Sequence, residues 1–295
     1  MSTAAKTLFH FTGKNEQSEN AIDTILSILK DGFRAGYCPE VLEDIKNQIN
    51  INENPNIAFI PMICFCDIRL SQIKNHVENY GNYGIGLKKD FTNHQRLNPV
   101  HYINFTSGLH DTLGFILVCS KMVINEDAII GIFKDIQQGH VISSNSTRPI
   151  NIPETIDPIF KALLDLRLSI VKLSAMQKPV RGYYLNKDSI LKSNQYESKS
   201  VNFYDEREWR HIPELNEDEI IVQKDLFIKN QNLYNKSLED KNLLFDIDND
   251  VNYIILNKRE ELNTFSDKLN HTQFSEYKDL LLTKVRFIEE IEDDY

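Results

Sequence analysis

Late in the chain, residues 203–213 read FYDEREWRHIP and gather Asp205, Glu206, Glu208, Arg207 and Arg210 around the single tryptophan, Trp209. If this stretch is a strand, the two-residue side-chain period sends Glu206 and Glu208 to one face, and Arg207 and Trp209 to the other. Two carboxylates on one face suit proton transfer or stabilisation of a developing positive charge. The blander reading is a solvated edge strand anchored by Trp209. Near the start, Leu8-Phe9-His10-Phe11-Thr12 alternates in the same way, with His10 and Thr12 on one face and the phenylalanines on the other. A lone strand histidine is more often a hydrogen-bonded structural residue, so His10 matters chiefly in combination with the two glutamates.

Other chemistries lack their residues. Cys64 and Cys66 form a C-x-C, Cys38 and Cys119 stand alone, and no second C-x₂-C or H-x₃₋₅-H completes a zinc set. The cysteines read as small buried hydrophobes. Gly81-Asn82-Tyr83-Gly84-Ile85-Gly86 lacks the Lys-Ser/Thr of a phosphate loop, so its glycines read as turn and packing residues. No G-x-S-x-G elbow is present. Asp246, Asp248 and Asp250 begin like a calcium loop, but Val251 stands where the turn needs glycine and Asn257 where it needs a bidentate glutamate.

The elements that must position these residues come from pattern. The 295 residues, 41% hydrophobic and 26% charged, suffice for a substantial core and predict a single domain over 1–295. A net charge of −10 provides no global field for nucleic acid or an anionic membrane, although Lys88, Lys89 and Arg96 leave a local basic groove open. Sparse cysteine, an opening without a signal-peptide pattern and the absence of an apolar run of roughly 20 residues predict a cytoplasmic protein with no membrane partner.

TLFHF reads as a strand, followed by a helix through SENAIDTILSILKD with Ser18 as N-cap and Gly32 beyond its end. PEVLEDIKNQIN reads as a polar helix, IAFIPMICFCDI as a buried strand, RLSQIKNHVENYG as a helix closed by Gly81, and YGIGLKKDF and NPVHYINF as strands. Helical spacing from Leu109 to about Gln138, and again from Ile156 to Met176, predicts a helical insertion at about 109–176. VNFYDEREWRHI, EIIVQ and VNYIILN read as strands, REELNTFSDKLN as a helix, and LLLTKVRFIEEIEDDY as helix, strand and solvated acidic tail. The fold class expected is α+β with a mixed or antiparallel sheet built from distant segments.

The order of an L-F-H-F-T strand, an I-x-x-I-L-x-x-G helix, a second apolar strand and a late E-x-E strand resembles ADP-ribosyltransferases, especially toxin types that modify DNA or RNA. ICFCDIRLS, H-x₃-YGNYGIGL, NPVHYIN, KPVRGYY and FYDEREWRHIP resemble, over most of the chain, the abortive-infection phage-resistance family AbiGi. The first resemblance implies NAD as a substrate, cleaved between nicotinamide and ribose through an oxocarbenium-like transition state. Glu208 would then stabilise the positive sugar, as carboxylates do in glycoside cleavage, and Glu206 would orient or deprotonate the acceptor. It also implies His10 on the ribose, Thr12 on the nicotinamide amide, Arg34 on the pyrophosphate and Tyr83 or Tyr80 against the nicotinamide ring. The second strand departs from the pattern, since MICFCD has no Ser-Thr-Ser.

Two functions of different classes follow. One is an NAD-dependent ADP-ribosyltransferase that disables the infected cell by modifying RNA, DNA or protein. The AbiGi resemblance equally implies a binding protein without chemistry, an antitoxin or phage sensor of a defence pair, with Trp209 a core anchor and Arg210 a surface ion-pair residue; the partner is then a cognate toxin, and for the enzyme reading a cognate antitoxin. A nuclease is more remote, because no cluster of metal-binding carboxylates can be assembled from the sequence.

Overall fold

The computed structural model describes residues 5–41, 57–93, 95–104, 107–109, 112, 115–116, 156–183, 185, 187–193 and 200–293. Their centre is a nine-stranded mixed sheet. Its strands are β1 (Thr7–Thr12), β2 (Gly36–Val41), β3 (Ile57–Cys66), β4 (Tyr83–Lys88), β5 (Leu97–Pro99), β10 (Glu208–His211), β11 (Val222–Gln223), β12 (Val251–Leu256) and β13 (Val285–Phe287). The order is β13-β12-β4-β1-β3-β10-β5, with β2 and β11 also pairing β3. Only β12 and β13 run parallel in this sheet. Two small ladders stand apart from it, β6 (His101–Ile103) with β7 (Gln177–Pro179) and β8 (Arg181–Tyr183) with β9 (Ser200–Asn202).

Strand β3 is the axis because it is apolar on both faces, as a strand covered on both sides must be. Helix α1 (Ser18–Asp31) lies on one face of the sheet and buries Ile22, Ile25 and Leu29 against Leu8, Phe65, Ile85 and Ile254. Ser18 is its first residue rather than its cap, and Gly32, at φ 80, closes it. Helix α2 (Lys74–Tyr80) covers the opposite face through Ile73 and Val77, against Phe9, Phe11 and Cys66. Gly84 and Gly86 of β4 leave that face open for the two phenylalanine rings, since a Cβ at Gly86 would lie 2.8 Å from Phe9. Helix α3 (Ile156–Ala175) seats Val171 and Ala175 on Ile60 and Met62.

The mixed sheet with helices around it agrees with the α+β expectation. Several local expectations change. Pro39, Glu40 and Val41 belong to β2, not to a helix, because they pair with Phe59, Ala58 and Ile57. NPVHYINF divides between β5 and β6, which pair with different partners. EIIVQ begins inside a short helix, Glu217–Ile220, whose start Asn216 and Glu219 cap with a capping box. The acidic stretch after β13 is helical over Ile288–Asp293. Of the expected insertion, Ile156–Ala175 is helical as read, and most of the helix expected from Leu109 to about Gln138 lies outside the described residues.

The largest correction concerns the stretch that posed the chemical question. VNFYDEREWRHI is not one strand: β9 ends at Asn202, Phe203–Glu206 form a 3₁₀ turn, and β10 begins at Glu208. Asn202 Nδ2 donates to Asp205 Oδ2 at 2.7 Å across the turn, a local side-chain bond that competes with strand pairing. Arg207 then takes the left-handed conformation, φ 45 and ψ 49, which redirects the chain into β10.

Candidate functional site

Strand register decides which candidates meet. In antiparallel pairing, directly opposed residues share a face. Cys66 is opposed by Phe9 of β1 and by Glu208 of β10, so Phe9, Cys66 and Glu208 project together. His10, adjacent to Phe9, projects from the other face, where its ring meets Phe33 and Phe65 at 5.0 and 5.7 Å. His10 Nδ1 is bonded to the backbone oxygen of Cys64 at 2.8 Å, and burial lowers its pKa. His10 and Glu208 are thus on opposite sides of one sheet.

Glu206 and Glu208 do come together, although not by strand alternation. Lys178 of β7 draws them: its Nζ donates to Glu206 Oε2 at 2.9 Å and to Glu208 Oε2 at 2.6 Å, while sitting 4.3 Å from the Phe203 ring centre. Two residues on in β10, Arg210 projects to the same face as Glu208 and is 0% exposed. This corrects its expected place in a surface ion pair. Its Nε donates to Glu208 Oε1 at 2.6 Å, Nη2 to Glu40 Oε1 at 2.6 Å, and Nη1 to the carbonyl of Ala175 at 3.0 Å. Tyr80 Oη donates to Glu206 Oε1 at 2.8 Å, and Tyr102 Oη accepts from the backbone N–H of Glu208 at 2.6 Å. Three carboxylates and two cations therefore form one buried network.

The electrostatics follow from that arrangement. Burial opposes charge on Glu208, but Arg210 and Lys178 outweigh it and hold the carboxyl well below the usual range. Burial likewise opposes charge on Lys178 and Arg210, and the surrounding glutamates reverse the balance, so both pKa values rise. Glu40 is the weaker partner: burial raises its pKa, and Arg210 and Lys178 offset this only in part. The same face carries His76, stacked on Tyr80 at 4.5 Å, with its pKa lowered to about 4 by burial and by Lys178. Burial pushes the Cys38 thiol up to about 11 and raises that of Cys64 as well.

The remaining candidates are dispersed. Arg34 is 68% exposed and pairs with Asp31 at 3.1 Å. Tyr83 is buried, with its hydroxyl donating to Glu261 Oε1 at 2.7 Å, so its ring is core rather than a stacking surface. Thr12 ends β1 beside Gly81, whose Cβ would lie 2.1 Å from the Thr12 carbonyl oxygen. There a polar cleft of about 630 Å³ opens, lined among others by Lys14, Glu78, Tyr83, Lys258 and Glu261. Lys89 pairs with Asp67 and lies 5.2 Å from the Trp209 ring centre, and Arg96 pairs with Glu214. Among the described residues, no group of three His, Cys, Asp or Glu side chains is arranged to hold a metal.

Sequence reasoning missed Lys178 and Glu40. Lys178 lies in KPVRGYY and Glu40 in a stretch read as helical. Set between Gln177 and Pro179, this lysine carries no motif, and only the tertiary fold brings it to β10.

No helix among the described residues is long and apolar enough to cross a membrane. Residues 33–257, well over half of the chain, match the model of the family described as "Putative abortive phage resistance protein AbiGi, antitoxin". A curated relative, the abortive phage resistance protein AbiGi of Lactococcus lactis subsp. cremoris, is 29% identical over 283 residues, covering 89% of this chain and 99% of the relative. No solved structure matches. The matched span runs from the start of β2 to the end of β12 and includes the whole Glu40–Arg210–Glu208–Lys178–Glu206 network. The chain belongs to the AbiGi family of abortive phage resistance proteins.

Proposed function

We propose that this protein is the antitoxin of an abortive-infection pair and works in the cytoplasm by binding a cognate toxin protein. The family's description supports this reading. The observation that carries it is the state of Glu208: its two oxygens are occupied by Lys178 and Arg210, and it is 6% exposed. Transfer of ADP-ribose needs a carboxylate aimed at the ribose, with the other NAD-binding groups around the same substrate. Here the carboxylate is consumed internally, and His10 faces the other side of the sheet. A net charge of −10 favours a basic protein partner over a nucleic acid acceptor.

Co-expression with the product of the neighbouring gene tests this. An antitoxin rescues growth from that product and co-purifies with it, and the purified protein alone releases no nicotinamide from NAD. Release of nicotinamide that Glu208→Gln abolishes would restore the ADP-ribosyltransferase reading in its place.

A further inference from the structure

We infer that the buried network around Arg210 and Lys178 is a latch that docks the end of α3 and β7 onto the sheet, and that this unit opens without the sheet melting. The unit's attachment is unusual in kind. Among the described residues, strand β7 makes no ladder with the nine-stranded sheet and pairs with β6 alone, over three residues. The unit's described apolar contacts form one patch, Val171 and Ala175 with Ile60 and Met62 of β3 and Ile220 of the short helix, and half-buried Leu168, Cys38 and Cys64 beside them. Outward, Leu166 and Leu173 are exposed. A unit that stands outside the main ladder and meets it through one apolar patch is a candidate for opening by itself.

The other described attachments are polar: Arg167 of α3 pairs with Glu217 of the short helix at 2.6 Å, while the more deeply buried contacts join the unit to β10 or to the turn before it. Arg210 donates to the carbonyl of Ala175, the last residue of α3. Three residues further, Lys178 is clamped by Glu206 and Glu208. Such contacts are directional and short-ranged, unlike apolar burial, so they fail together once the geometry is lost. With Lys178 withdrawn, Glu206 and Glu208 would stand as neighbouring carboxylates with Arg210 as their remaining cation. Their repulsion is screened by water once the unit opens and is strongest where they stay buried without the lysine, so losing that one cation disfavours docking.

Hydrogen exchange of the full chain across a urea series tests the latch. Amides of residues 168–179 are expected to exchange with a shallower urea dependence than those of β1, β4 and β12, the mark of a local opening. Lys178→Met is expected to speed their exchange on the order of a hundredfold, since it breaks a buried ion pair, while the β1 and β4 amides stay protected. Adding Glu206→Gln removes the like-charge pair and is expected to restore part of the lost protection. Should the wild-type amides of 168–179 follow the same urea dependence as the sheet, the latch is refuted, and this arm decides even if Lys178→Met fails to fold. A double variant no better protected than Lys178→Met would also refute it.

Discussion

Lys178 and Glu208 form an ion pair at 2.6 Å with both side chains only 7% exposed. Exposed pairs contribute little, whereas breaking a buried pair from one side leaves an uncompensated charge out of water. Glu208→Ala takes from Lys178 and Arg210 the carboxylate they share, leaving Lys178 with Glu206 and Arg210 with Glu40, and is expected to lower unfolding free energy by about 3 kcal/mol. Asp205→Ala, three residues earlier and exposed, is expected to stay within about 0.5 kcal/mol of wild type. Urea denaturation of the two variants checks this, and equal losses would show that Glu208 is not the buried hub.

A second prediction concerns Glu261, which ties the end of β12 to β4. Its Oε1 accepts from Tyr83 Oη at 2.7 Å, and its Oε2 from the backbone N–H groups of Asn257 and Lys258, both at 3.1 Å. Tyr83→Phe removes one donor and is expected to cost about 1–2 kcal/mol. Glu261→Ala leaves three donors without their acceptor and is expected to cost more than Tyr83→Phe. Thermal melts that rank the two variants the other way would contradict this geometry.

Gly81 offers a backbone test. Its φ is 111, and an added Cβ would fall 2.1 Å from the Thr12 oxygen and 2.5 Å from the Lys14 nitrogen, both backbone atoms that cannot yield. Gly36 has nothing within 4 Å of the same position. Gly81→Ala is therefore expected to destabilise by well over ~1 kcal/mol, and Gly36→Ala to remain within about 1 kcal/mol of wild type. Denaturation midpoints of the two single variants suffice to compare them.

The elements that were legible in sequence are those whose pattern is local. Strand β1, helix α1 with its Gly32 stop, β3 and β12 declare themselves by apolar spacing within a dozen residues. The site was legible only in part. Glu206 and Glu208 were identified, but as neighbours on a strand, because alternation cannot reveal that Arg207 turns left-handed between them. The burial of Arg210 was invisible for a different reason: its partners Glu40 and Ala175 lie 170 and 35 residues away. Charged residues in a polar-looking stretch read as solvated until the fold supplies counter-ions from afar. The same limit applies to His10, whose separation from Glu208 depends on strand register across β1, β3 and β10.

His76 supplies a pH signature. Its ring is stacked on Tyr80 at 4.5 Å and lies 5.5 Å from Phe11, and burial with Lys178 nearby lowers its pKa from 6.5 to about 4. The folded state thus resists protonation that the unfolded state accepts. Between these values the unfolded chain binds more protons, so stability rises with pH and is lost as pH falls from 6.5 towards 4. At about 1.4 kcal/mol per pH unit, the full effect of His76 is on the order of 3 kcal/mol. His10, also lowered by burial, acts with the same sign, while Glu40, raised by burial, acts with the opposite one. The decisive quantity is therefore the difference between wild type and His76→Phe, which keeps an aromatic ring against Tyr80 but cannot titrate. Unfolding free energies measured from pH 7 to pH 4.5 are expected to fall more steeply for wild type. Parallel curves would mean that His76 is protonated in the folded protein, and that the face shared with Glu206 and Glu208 is open to water.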